Sequence, residues 1–164
     1  QRTAEPVGGK IDYDIDGRIV GNWFVEGTGG YSSGGAVLVG YENYWETHLA
    51  IAYHYIDPTT LIVSIGADVG IPDDACNVCN GAYGIKGNAP DPATVGVSDG
   101  LVEYELIGRL RPERDAPTYN DESNSIGVFL VEMIDDRSIR VEVFPDVLPA
   151  GVRGFTDAAV VYTR

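Results

Sequence analysis

The only two histidines of the chain lie in one apolar segment, and their spacing decides whether they could bind a metal together. Glu46, His48 and His54 share one parity, so an extended chain places all three on one face. Positions six apart in a strand are about 20 Å apart, which is too far for two ligands of one metal. Glu46 and His48 are close enough, but they would need further ligands from elsewhere. The sequence therefore predicts no metal site at the histidines.

The opposite face of the same segment is apolar and aromatic. Leu49, Ile51, Tyr53 and Tyr55 alternate with the histidine row. Two orientations remain open: the histidine row faces solvent, or it lines a barrel in which its two alanines leave space. In the second case aromatic side chains would wall a small molecule and the histidines would orient it through hydrogen bonds. The candidate ligand-binding residues are Trp23, His48, Tyr53, His54 and Tyr55.

The chain has two cysteines, Cys76 and Cys79, in a C-x-x-C arrangement. One such pair is half of a four-cysteine zinc site, and the sequence has no second pair. A redox-active pair would start a helix after a strand, whereas the flanking Asp, Asn and Gly residues indicate a loop. We therefore favour a short disulfide between Cys76 and Cys79, formed in an oxidising compartment.

Residues 12–17 read D-x-D-x-D-G, which matches the opening of a calcium-binding EF-hand loop. The twelfth position of that loop would be Trp23, where a bidentate glutamate is needed. Tyr13 and Ile15 also favour burial, so we interpret the segment as a half-exposed strand that ends in an Asp-Gly turn. No cofactor is predicted. If a metal binds, we expect Ca²⁺ at surface carboxylates.

The net charge of −14 comes from 25 acidic and 11 basic residues. Such a surface repels phosphate backbones and anionic lipids, which argues against nucleic acid and anionic membranes as partners. No apolar run approaches the roughly 20 residues of a membrane-spanning helix. The sequence starts at Gln1, as a mature protein would after removal of a signal peptide, and we expect a secreted or periplasmic protein.

The distribution of apolar residues and turn residues predicts an all-β fold with no amphipathic helix. About eight to ten strands joined by hairpins predict an antiparallel barrel, with a sandwich as the alternative. A polar tail, 1–9, would precede a single domain, 10–164. Asp16 and Gly17 would form the first hairpin turn, and 67–98 would be mostly loop. The predicted strands include 18–26, 47–56, 61–66, 101–110, 126–134, 138–144 and 158–164, with one helical turn in 149–156.

The string Gly21-Asn22-Trp23 resembles the G-x-W of lipocalins and other calycins, in the strand that opens their barrel. The resemblance implies an antiparallel barrel with a cavity for a small apolar ligand. It also implies that an arginine of the last strand packs over the tryptophan, a role that falls to Arg164. A strand predicted before G-x-W, and the lack of a clear helix before the last strand, depart from the pattern. The C-terminal segment, 154–164, is similar to the ends of uncharacterised secreted bacterial β proteins.

Three functions follow as hypotheses. The first is a secreted barrel that binds a small, partly apolar molecule. The second is a structural subunit of an extracellular assembly, which self-associates when its N-terminal segment adds as a strand to a neighbour. The third is a cofactor-free isomerase or cyclase that uses the same cavity.

Overall fold

The computed structural model describes residues 14–30, 46–54, 58–66, 81–110, 122–123 and 125–164. These residues form an eight-stranded antiparallel barrel in which each strand pairs with its neighbours in sequence and β8 closes onto β1. The barrel, rather than the sandwich, is therefore the correct prediction. Two short 3-10 turns, Val97–Asp99 and Pro149–Gly151, accompany the strands. The strands are β1 Gly21–Val25, β2 His48–Tyr53, β3 Leu61–Ile65, β4 Gly81–Ile85, β5 Leu101–Leu110, β6 Ser125–Asp135, β7 Ser138–Pro145 and β8 Val160–Thr163.

The barrel interior is filled by apolar and aromatic side chains. Alternate residues of each strand point inward, as the period of two requires. An eight-stranded barrel is just wide enough for side chains to fill it or for one small ligand. The large side chains that fill it, all essentially inaccessible to solvent, include Trp23, Tyr83, Tyr104, Phe129, Tyr162, Leu49, Ile51 and Leu106.

The two ends of the barrel can be defined by their connections, because a meander places alternate connections at the same end. The connections after β1, β3, β5 and β7 leave and re-enter the barrel at one end, which we call the loop end. At the other end, the closed end, segments 14–20 and 86–100 lie against each other, and we call them together the plug. Within the described ranges, no helix is long and apolar enough to cross a membrane.

Two strand predictions are wrong in an informative way. Residues 18–20 do not continue β1, since Ile19 and Val20 donate their N–H groups to the plug carbonyls of Val95 and Pro92, at 3.1 and 3.2 Å. The turn at residues 16 and 17 is present, but no return strand follows it directly. β4 lies inside the segment that was predicted as loop. Its two glycines weaken the strand signal, and its pairing with β3 and β5 outweighs this.

Candidate functional site

The plug contributes apolar side chains to the barrel core as well as backbone hydrogen bonds. Ile19 is fully buried and Val95 nearly so, and both belong to the same core cluster as Trp23. Gly17 donates its N–H to the carbonyl of Asp136 at 3.3 Å, which fixes the plug to the β6–β7 turn. The closed end is therefore sealed by packed side chains and satisfied backbone groups.

Trp23 and Arg164 join the first and last strands at this sealed end. The Trp23 indole Nε1 donates to the carbonyl of Ile19 at 2.8 Å. The Arg164 guanidinium lies 4.1 Å from the centre of the Trp23 ring, which is a close cation–π contact. Its Nη atoms donate to three backbone carbonyls, those of Val20 (3.0 Å), Arg18 (2.9 Å) and Ile15. One side chain thus binds three carbonyls of the plug's first segment and ties that segment to β8.

The charge of Arg164 is partly compensated by a carboxylate. Asp14 Oδ1 lies 3.8 Å from Arg164 Nη1. Burial lowers the pKa of Arg164, and the nearby Asp14 opposes that shift. An arginine side chain keeps its proton in proteins, so the guanidinium acts as a cation in these contacts.

The second plug segment is held by two tyrosines. The Tyr53 hydroxyl donates to Asp91 Oδ1, and the buried Tyr104 hydroxyl donates to the carbonyl of Pro90 at 2.9 Å. Burial, with smaller contributions from Asp91, Tyr53 and Asp99, raises the pKa of Tyr104 well above its ordinary value. Tyr104 is therefore a neutral hydrogen-bond donor in the folded protein at neutral pH.

Replacing Tyr104 with phenylalanine is expected to change how stability depends on alkaline pH. The folded-state pKa of Tyr104 is raised above its unfolded value of about 10, so the native state binds more protons above that pH. In the protein that carries Tyr104, the free energy of unfolding should then fall as pH rises above about 10, by up to about 1.4 kcal/mol per pH unit from this group. The phenylalanine variant lacks this contribution. At pH 7 the variant should lose about 1 kcal/mol, the hydrogen bond to Pro90. Urea unfolding between pH 7 and 11 measures both effects, and parallel curves for the two proteins would contradict the assignment.

The loop end has a different character, because its inward-facing residues are apolar but incompletely covered. We call Val25, Ile65, Gly81, Ile126 and Val160 the mouth residues. Val25, Ile126 and Val160 pack against the core and remain partly exposed, while Ile65 pairs with Gly81 and is buried. Thr47, buried beside them, accepts a backbone hydrogen bond from Val25 at 3.0 Å. The mouth is thus an apolar surface with a hydroxyl-bearing residue at its edge.

The residues predicted to bind a ligand do not converge on one place. Trp23 and Tyr53 have inward parity near the closed end, and Trp23 is in the core as predicted. His48 points outward, where its Nε2 lies 2.9 Å from Asn22 Oδ1 and its ring lies 5.2 Å from that of Phe24. His54 is buried at the other end of β2. Tyr55 lies outside the described residues, as do Cys76 and Cys79.

The orientation of β2 resolves one alternative. Leu49 and Ile51 point into the core, so the row that contains His48 is on the outer face of the barrel. The interpretation of that row as the barrel lumen is therefore wrong, because the larger aliphatic side chains of the opposite row fill the interior. Among the described residues, no three His, Cys, Asp or Glu side chains come together as a metal site would need.

Sequence reasoning missed the mouth residues and the tyrosine anchors of the plug. Val160 and Val25 could have been found by counting parity from Tyr162 and Trp23, since each lies two positions away. Pro90 and Asp91 carry no such signal, because their partners Tyr104 and Tyr53 are set by the tertiary fold.

The Gly21-x-Trp23 string and Arg164, which carry the resemblance to lipocalins, are in contact in the structure. A cation–π pair of this kind forms wherever an arginine lies over a buried tryptophan, so the contact alone does not assign a family. The chain matches no protein-family model, no curated protein and no solved structure at a significant level.

Proposed function

We propose that the protein acts outside the cytoplasm as a binding protein for a small, partly apolar molecule, which it takes up at the mouth residues. The observation that carries the proposal is the contrast between the two ends of the barrel. The plug covers one end with packed side chains and backbone hydrogen bonds, whereas at the other end Val25, Ile126 and Val160 are apolar and only partly buried. Barrel mouths with convergent apolar side chains are common places for small-molecule sites.

The packing of the interior limits how deep such a molecule would lie. Leu49 and Tyr162 fill the barrel beneath the mouth, Trp23 fills it towards the closed end, and all three are buried. A ligand would therefore rest on this floor, against Val25 and Val160, and would not reach the plug. Thr47 would be a polar residue at the edge of the site, and the three candidate residues Tyr53, His54 and His48 would not contact the ligand.

A titration with the apolar fluorescent probe N-phenyl-1-naphthylamine tests this proposal. We expect saturable fluorescence enhancement and a raised melting temperature, because a ligand that binds only the folded state stabilises it. Val160→Asn should raise the Kd of the probe about tenfold, since it places an amide against the apolar ligand.

Val161→Asn is the matched control, because Val161 is adjacent in β8 and has outward parity. The control should bind the probe as the original protein does. Equal Kd values for the two variants, or no saturable binding, would contradict the proposal.

The two other hypotheses predict different results in solution. An assembly subunit should sediment as a multimer that becomes monomeric when residues 1–9 are removed. Its melting temperature should not depend on the probe. A cofactor-free isomerase or cyclase should convert the molecule that it binds, and product analysis of the bound compound would reveal it.

A further inference from the structure

A second surface lies on the outside of the barrel, away from the mouth. A groove of about 190 Å³ lies between the β4–β5 connection and the second 3-10 turn, Pro149–Gly151. Outward-facing Glu103 and Glu105 of β5 line it, together with Pro149 and the segment 86–90. We call this surface the β5 groove.

The two carboxylates of the β5 groove differ in their partners. Glu105 Oε1 forms an ion pair with Lys86 Nζ at 2.9 Å. Glu103 is half-buried, and within the described ranges its side-chain carboxylate has no hydrogen-bond or ion-pair partner. The groove therefore contains one carboxylate whose charge is uncompensated.

Two exposed leucines lie close in sequence to residues that line the groove. Leu101 precedes Glu103 by two residues on the same face of β5, about 7 Å along the strand. Leu148 directly precedes Pro149, which lines the groove. Their side chains are 44% and 61% exposed, among the most exposed large apolar residues of the described chain. Apolar side chains beside an unpaired charge form a surface with two distinct recognition elements.

From this combination we propose that the β5 groove binds an extended segment of a partner protein in which a basic residue has an apolar residue two positions before it and another two positions after it. The basic side chain would pair with Glu103, and the two apolar side chains, on the same face of the extended segment, would cover Leu101 and Leu148. A purely apolar occupant would leave the Glu103 carboxylate buried and unpaired, which is costly. A bare cation would leave the two leucines exposed to water. The net charge of −14 also favours the approach of a basic segment.

Fluorescence anisotropy with a labelled seven-residue peptide of sequence Ser-Leu-Ser-Arg-Ser-Leu-Ser, which places its leucines and its arginine on one face when extended, tests this inference. We expect saturable binding that Glu103→Gln weakens by about fivefold, because the variant removes one partly buried charge pair without changing the shape of the side chain. Leu148→Ser should weaken binding by a similar factor. Glu26→Gln is the matched control, since Glu26 is an exposed carboxylate outside the groove and its loss should leave the Kd unchanged.

Three outcomes would overturn the inference. Equal weakening by Glu103→Gln and Glu26→Gln would show that only the overall negative charge attracts the peptide. Unchanged affinity for a peptide in which serine replaces every leucine would show that the surface takes a bare cation. Equal affinity for a peptide in which glutamate replaces the arginine would show that charge plays no part. The mouth residues lie elsewhere, so none of these results bears on the proposed small-molecule site.

Discussion

Replacing Trp23 with alanine is expected to lower the free energy of unfolding by about 3–5 kcal/mol. The side chain is fully buried and belongs to the core cluster that unites the barrel with the plug. Its removal would leave a cavity lined on one side by Ile19 and would free the Ile19 carbonyl from its hydrogen bond with the indole. It would also leave the Arg164 guanidinium without the ring beneath it.

Urea unfolding followed by far-UV circular dichroism measures this loss. Trp23→Phe is the informative companion, because it keeps an aromatic ring below Arg164 but cannot donate to the Ile19 carbonyl. We expect it to cost less than the alanine variant, as the remaining cavity is smaller. A loss of under about 1 kcal/mol for Trp23→Ala would contradict the placement of Trp23 in a close-packed core.

The local hairpins of the fold could be predicted from the sequence, because their signals are contiguous. β6 is a continuous apolar run over 128–131, β7 alternates over 139–143, and the two are joined at Asp136 and Arg137, where the sequence places a turn. β4 could not be predicted in the same way. Gly81 has a φ of 140°, a conformation that favours glycine, and the segment becomes a strand only when β3 and β5 pair with it on both sides.

The candidate site was harder to predict than the fold, since it depends on which end of the barrel is sealed. Nothing near Ile19 in sequence indicates that its backbone bonds to Val95, 76 positions later in the chain. Trp23 and Tyr53 were predicted to bind a ligand because they are aromatic. In a small barrel, however, bulky aromatic side chains fill the interior, as Trp23 does. The mouth is marked instead by valines, isoleucines and a glycine, residue types that any buried strand contains.

Arg164→Met is the second variant with a large expected effect, a loss of about 2–4 kcal/mol in the free energy of unfolding. Methionine can cover the Trp23 ring with apolar atoms, but it donates no hydrogen bonds. Three carbonyls of the plug's first segment would lose a charged donor. A hydrogen bond to a charged group contributes about 1.5–3 kcal/mol, and the total loss is smaller than three such contributions because water can replace the donor. Asp14 would lose the cation beside it.

Three comparisons separate this function of Arg164 from a general effect of charge. Arg164→Lys keeps the charge, but one ammonium group cannot satisfy three separated carbonyls as a planar guanidinium does, so we expect an intermediate loss. Arg140→Met also removes a cation from an aromatic ring, 5.5 Å from Phe155, but on an exposed part of β7, and it should cost under about 1 kcal/mol. Because Arg164 fastens the first plug segment, the amide protons of Ile19 and Val20 should exchange faster in Arg164→Met through local opening. Those of β6 and β7 should exchange faster only by the factor that the loss of global stability sets. Unchanged exchange at Ile19 and Val20 would contradict the assignment of Arg164 as the residue that seals the closed end.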